Sequence, residues 1–435
     1  MQKMTPLQGT LAIGFGAFMT AKTMALFGIP LPIHSLSPYE ITALKTQALK
    51  LAGICTSLGV ANYTYQSMPN TKARRSLKRI FDEGEIYRER ENGRKIYPQI
   101  RAIQYDNKGI TIVFNIVFGI NPDDVYKAEW LFKQEFGQHV FIEHTGKHFT
   151  VKAYYKGIQT FAYDFDEILP HLSDMKLPIV IGKDQEGYWL IVDMIDNPHL
   201  LICGETGSGK STEIRQIITT WIKHLSPEKL HLYLCDLKGS EFHLFENIEH
   251  VQASLYENDE GKLLKLLIKI EKEIKRRGQL LRQHGKVHID DLPEQVPYIV
   301  VCVDEVALLR DNKAIMEKIE NIAIVGRSNG VFLLLSMQRP DSTVLDGKLK
   351  QCLTVRICFR QPDDINYGIA LNMRMKPDRE IEDGYAFVKY KRGLQEIQAP
   401  FLADKMAKVM LRPYQQKKPR PEPEQIEENK IFDLE

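Results

Sequence analysis

The stretch Gly204-Glu-Thr-Gly-Ser-Gly-Lys-Ser-Thr212 constrains this chain more than any other segment. It fits GxxxxGK[ST] in full. The apolar run Leu200–Cys203 precedes it, and Ile214, Ile217, Ile218, Trp221, Ile222 and Leu225 follow at helical spacing. Strand, Gly-rich turn and helix in that order predict a phosphate-binding loop. The glycines let backbone N–H groups turn inward, and the helix N-terminus adds partial positive charge. ATP is therefore expected on Gly204, Glu205, Thr206, Gly207, Ser208, Gly209, Lys210, Ser211 and Thr212. Lys210 should reach the β- and γ-phosphates, and the Ser211 hydroxyl should bind Mg²⁺.

Such a loop needs an acidic strand end nearby. The run Tyr298-Ile-Val-Val-Cys-Val-Asp-Glu305 is apolar up to its acids, as a central parallel strand should be. Asp304 is expected to hold Mg²⁺ through its water shell, and Glu305 to polarise the attacking water. Two further apolar runs end at Asp236 and near Gln338. Gln338 is a candidate phosphate sensor or water-positioning group; a plain surface glutamine is the other reading. Helical stretches alternate with these runs, notably 261–285, where Leu263, Leu267, Ile270 and Ile274 share a face. Its Lys/Glu/Arg run reads as a solvated face with i,i+4 pairs rather than a DNA patch. The alternation predicts an α/β fold with a doubly wound parallel sheet, its site at the strand C-termini.

The 435 residues imply two or three domains. A net charge of +2 excludes a global basic field, so a polyanion contact must come from local patches or from repetition in an oligomer. The six cysteines form no CxxC pair and read as apolar filler in a reducing compartment. Residues 7–29 are apolar and interrupted only by Lys22, which is long enough for a bilayer span of about 20 residues. A weaker stretch at 41–63 carries Lys45 and Lys50. The connecting segment has no Lys or Arg, whereas Lys72–Arg79 is strongly basic. The positive-inside rule then predicts a multi-pass anchor in the cell membrane with the ATPase in the cytoplasm. A signal peptide and a pair of soluble apolar helices are the other readings.

The expected organisation is a membrane hairpin over 1–70, a small α+β domain over 71–176, a motor over 177–408 and a disordered tail over 409–435. In the small domain, Gly109–Phe118 reads as a strand. Residues 123–137 read as one helix with Val125, Ala128, Leu131, Phe132 and Phe136 on one side. Residues 139–155 read as a hairpin turning at Gly146. Its aromatics are expected in the core rather than on a nucleic-acid surface. Residues 177–194 read as a further hairpin leading into the motor. The tail is rich in Pro and charge.

Several blocks together resemble the FtsK/SpoIIIE family of DNA-pumping motors: Pro198–Ser211, Cys235–Phe242, Val301–Leu309, Gly326–Pro340 and Leu353–Arg360. The similarity covers 177–403, and the GR-x-x-G…QRP block is its most specific part. It implies a RecA/FtsK-like P-loop NTPase working as a homo-hexameric ring that threads double-stranded DNA with ATP and Mg²⁺. It implies a phosphate-sensing Gln338, and Arg327 as an arginine finger reaching a neighbour's γ-phosphate; an arginine pairing within its own subunit is the alternative. No winged-helix module follows Ala403 in this sequence. A short membrane hairpin, a small domain and a bare motor resemble the coupling proteins of conjugative elements, which implies a relaxase and secretion-channel proteins as partners. The expected function is an ATP-driven DNA translocase delivering DNA to a conjugative transfer channel. Its pore contacts, for instance beyond Pro340 at Lys348 and Lys350, would be sequence-independent and salt-sensitive. An ATPase driving protein secretion, a chromosome or plasmid DNA pump in cell division, and a nucleotide-dependent scaffold are the rivals. The single P-loop counts against the first and an intact Glu305 against the last.

Overall fold

A computed structural model of the protein describes residues 68–256, 259–345, 347–377, 380–391 and 393–416, with residue 50. They form two compact units that divide between Gly157 and Ile158. The expected membrane hairpin, Cys55 and the chain from 417 onward lie outside the described residues. Among the described residues, no helix is long and apolar enough to cross a membrane.

The first unit opens with α1 (Pro69–Glu83) and strands β1 (Gln99–Tyr105) and β2 (Gly109–Asn115). Helices α2 (Pro122–Lys127) and α3 (Glu129–Phe136) lead to the hairpin β3 (His139–Thr145) and β4 (His148–Tyr154). The sheet is antiparallel in the order β1-β2-β4-β3. Period-2 alternation sends Ile110, Ile112 and Phe114 of β2, and Phe149, Val151 and Ala153 of β4, into one core with the helices. Phe114 stacks on Phe149 and Phe132 at 5.4 and 6.4 Å between centroids, so these aromatics pack inward. The single helix expected over 123–137 is two helices. Ala128, at φ −89° and ψ 8°, interrupts the hydrogen-bond ladder between them.

The second unit is built on one sheet. Its strands are β5 (Pro178–Lys183), β6 (Trp189–Asp193), β7 (Leu200–Cys203), β8 (Leu230–Asp236), β9 (Val251–Tyr256), β10 (Tyr298–Asp304), β11 (Val331–Met337), β12 (Val355–Cys358), β13 (Tyr385–Tyr390) and β14 (Gly393–Gln398). Helices α4 (Lys210–His224), α5 (Glu260–His284), α6 (Lys313–Val325) and α7 (Gly347–Cys352) follow strands of the first half. The chain then adds α8 (Asp364–Leu371) and α9 (Asp404–Leu411).

The strand order is β9-β8-β10-β11-β7-β12-β13-β14-β5-β6. The pairs from β9 to β12 are parallel, and those from β12 to β6 are antiparallel. The sheet is therefore mixed, not the wholly parallel one expected. The reason is local: tightly turned hairpins at β13–β14 and β5–β6 can pair only antiparallel. In the parallel half both faces are buried. Ile202, Leu234 and Phe332 pack with Ile214, Ile217 and Trp221 of α4. Leu201, Val301 and Leu333 face α5 and α6 instead. Strands buried on both faces read as continuous apolar runs, which is why these were legible. Cys203, Cys235, Cys302 and Cys358 are free and buried there, and burial pushes their thiols up.

Two expected boundaries move. Residues 158–176, assigned to the small domain, supply Tyr163, Phe165, Ile168 and Leu172 to the second unit's core. The tail expected to be disordered from 409 stays ordered to residue 416. Leu411 is buried, and the Glu249 N–H donates to the Tyr414 carbonyl at 3.2 Å.

His199 fixes the start of β7 at φ 64°. The Leu333 N–H donates to its Nδ1 at 3.0 Å, and its Nε2 donates to the Ala323 carbonyl at 2.8 Å. Accepting at Nδ1 requires the neutral ring, and burial pulls its pKa from 6.5 down to about 4. A depressed folded pKa contributes stability that is present above 6.5 and lost as pH falls through about 4. Urea denaturation of the wild type should therefore lose about 3 kcal/mol from this group between those limits. His199→Asn, less stable at neutral pH, should lose correspondingly less over the same window.

Candidate active site

The strand after which the chain turns into the phosphate loop is β7, and α4 begins at Lys210. Gly209, at φ 118°, allows the turn; a Cβ there would stand 3.0 Å from the Gly384 Cα. The Gly384 N–H donates to the Ser208 carbonyl at 2.8 Å, so the β13 end braces the loop from outside. Arg360, just past β12, holds it from another side, pairing with Glu205 at 2.5 Å and Asp383 at 2.6 Å.

Two strands away, β10 ends at Asp304. The Lys210 Nζ donates to the Asp304 Oδ1 at 2.8 Å, with both side chains buried. Ser336, on the intervening β11, also donates to Asp304. Glu305 follows in the left-handed region at φ 57°. Its carboxylate accepts the Gln338 N–H at 3.0 and 3.2 Å and the Lys238 ammonium at 2.8 Å. It is Gln338's backbone that touches Glu305. Gln338 is also among the residues that line the two cavities flanking the loop.

Those cavities meet at Glu205, Thr206 and Gln338. One, of about 490 Å³, runs along the loop from Gly207 to Thr212 and on to Phe401. The other, of about 880 Å³, opens past Glu305 toward Arg310 and Arg339.

Of the residues named from sequence, Gly204–Thr212, Asp304, Glu305 and Gln338 converge on this one edge. Arg327 does not. It lies in the turn Arg327–Asn329 between α6 and β11, at the opposite ends of the parallel strands. Its Nε donates to the Ile195 carbonyl at 3.2 Å and the side chain is exposed. It cannot serve its own subunit's loop.

Sequence reasoning assigned no role to the turn after β8. The Asp236 carboxylate accepts backbone N–H groups of Lys238, Gly239, Glu241 and Phe242, which fixes that turn. Lys238 then reaches Glu305, and Glu241 accepts the Ser211 hydroxyl at 2.5 Å. A charged turn at the C-terminal end of a parallel strand was the available signal. Ser211, Asp304 and Glu241 offer hard oxygen donors, which suit Mg²⁺. Among the described residues no group of three His, Cys, Asp or Glu side chains forms a metal cage.

Residues 165–297 match the FtsK/SpoIIIE family model. The resemblance read from the sequence therefore holds for this segment. Curated relatives include the DNA translocase FtsK of Helicobacter pylori strain J99, 32% identical over 210 residues, which is 46% of this chain and 25% of that one. The DNA translocase FtsK of Listeria monocytogenes is 30% identical over 217 residues, 46% of this chain and 28% of that one. The chain thus spans about a quarter of the length of these FtsK relatives. Among solved structures, the pCW3 conjugation coupling protein TcpA, in its monomer form with ATPgS, shares the fold. Its TM-score is 0.54 at 23% identity, over 78% of this chain and 99% of that one. The cytoplasmic domain of the Thermomonospora curvata type VII secretion ATPase EccC matches at TM-score 0.51 and 26% identity, over 57% of this chain and 32% of that one.

Lys210, within this segment, forms the buried ion pair with Asp304. Lys210→Ala leaves the Asp304 carboxylate buried with only the Ser336 hydroxyl, a loss of about 3–5 kcal/mol by chemical denaturation. Adding Asp304→Asn should recover part of that loss. Wild-type stability in Lys210→Ala alone would contradict the buried pair.

Proposed function

We propose that this chain is an ATP-driven DNA translocase. In the fuller form of this reading it works as a membrane-anchored homo-hexamer and delivers DNA to a conjugative transfer channel, with a relaxase and secretion-channel proteins as partners. The observation that carries it is the meeting of Lys210, which lies inside the segment matching the FtsK/SpoIIIE model, with Asp304 and Glu305 at one strand edge.

Nucleotide phosphates would lie against the backbone of Gly207–Lys210, at the positive end of α4. Lys210 would turn from Asp304 to the β- and γ-phosphates. Mg²⁺, held by Ser211 and Asp304, would neutralise phosphate oxygens as charge develops. Glu305, fixed by the Gln338 N–H and Lys238, would orient the attacking water. The Gln338 amide, shared by both cavities, would sense the γ-phosphate. Arg327 faces away from its own loop, which suits a role in a neighbour's site. Among the described residues its Nη groups make no bond.

The fold similarity to TcpA, over 78% of this chain, supports the coupling form of the reading. The EccC similarity favours a second reading, an ATPase that drives protein secretion. ATPase rates of the full chain with and without DNA discriminate them. DNA should raise turnover, and that stimulation should fall steeply with added salt. Stimulation only by a polypeptide substrate would favour secretion, and no turnover in any assembly state would sink both. Lys210→Ala should abolish hydrolysis. Mixing Arg327→Ala with Glu305→Gln subunits should restore partial activity if Arg327 acts across subunits; no recovery would make it a structural arginine.

A further inference from the structure

The chemistry above uses one end of the 490 Å³ cavity. The same cavity is also lined by Thr160, Pro400 and Phe401, which that chemistry leaves unused. Phe401 is an aromatic residue left 61% exposed in the lining of this cavity. Its backbone is not loose. The Phe401 N–H donates to the Phe161 carbonyl at 2.9 Å, and the Tyr163 N–H donates to the Phe401 carbonyl at 2.9 Å. The next residue is tied to the phosphate helix, since the Arg215 Nη1 donates to the Leu402 carbonyl at 2.9 Å.

That tie sets direction along a bound nucleotide. Glu305 and Gln338 stand at the γ-phosphate end. Thr212, the last residue of the loop, lines the same cavity as Phe401, and Arg215, whose guanidinium holds the Leu402 carbonyl, lies one helical turn beyond Thr212. With the γ-phosphate read at Glu305, a chain of phosphates running along the loop toward Thr212 would bring the sugar and base to the part of the cavity that Phe401 lines.

We propose that Phe401 is the stacking platform for the nucleobase of the bound nucleoside triphosphate. This rests on the reading of Gly204–Thr212 as the phosphate site, but not on DNA translocation. An aromatic ring with a fixed backbone and an open face offers a base its π-face at low ordering cost. Stacking of a base on an aromatic side chain contributes enough for removal to weaken binding by about tenfold or more.

The test is calorimetric titration of the full chain with two probes, ATPγS and inorganic tripolyphosphate. Phe401→Ala should weaken ATPγS about tenfold and leave tripolyphosphate unchanged; Phe401→Trp should retain ATPγS affinity. Two results would overturn the proposal. One is unchanged ATPγS affinity in Phe401→Ala; the other is equal loss for both probes, which would mean a structural role. A wild type that binds both probes but never hydrolyses ATP would defeat the motor reading and leave this subsite standing.

Discussion

The buried ion pair between Lys210 and Asp304 holds the second unit's site together. Lys210 opens the helix that follows β7, Asp304 ends β10, and β11 lies between those two strands. The pair therefore reaches across a strand, and Ser336 on that strand donates to the same carboxylate. Three parallel strands are locked at their C-terminal edge by one oxygen atom. A buried carboxylate is costly without such partners, so the register of these strands and the charge pattern of the site are one constraint.

Around this pair the supports come from unlike parts of the chain. The turn after β8 is fixed by the Asp236 carboxylate and presents Lys238 and Glu241 to Glu305 and Ser211. From the other side, the antiparallel half of the sheet contributes Gly384, Asp383 and Phe401 to the walls of the phosphate loop. Those added strands thus do more than extend the sheet. They supply the backing against which a Gly-rich turn, weak in packing of its own, keeps a single shape.

Arg327 and the phosphate loop occupy opposite ends of the same parallel strands. A chain built this way carries its phosphate-loop motif at one edge and an exposed arginine at the other. The geometry of the parallel sheet enforces the separation, because the α6–β11 turn must precede the strand whose far end carries Gln338. The small unit is organised on different terms, with one antiparallel sheet sharing a core with its helices around the stacked rings of Phe114, Phe132 and Phe149.

Much of this could be read before any fold was known. The spacing of Gly204–Thr212 and the apolar runs ending at Cys203, Asp236, Asp304 and Met337 gave the parallel strands and the edge where they meet, because strands buried on both faces must be continuously apolar. The period of α5 and the turn at Gly146 were likewise local facts. The antiparallel half of the sheet, the two helices on either side of Ala128, the ordered chain to residue 416 and the entry of 158–176 into the second core were not legible. Each depends on which distant surface covers an ambiguous segment. The same holds for Lys238, Glu241, Ser336 and Phe401: their residue types are ordinary, and only strand order and loop closure bring them within reach of the phosphate loop. Sequence determined the chemistry that short spacing encodes; tertiary structure decided the partners, because desolvated charges are satisfied by whatever the fold carries to them.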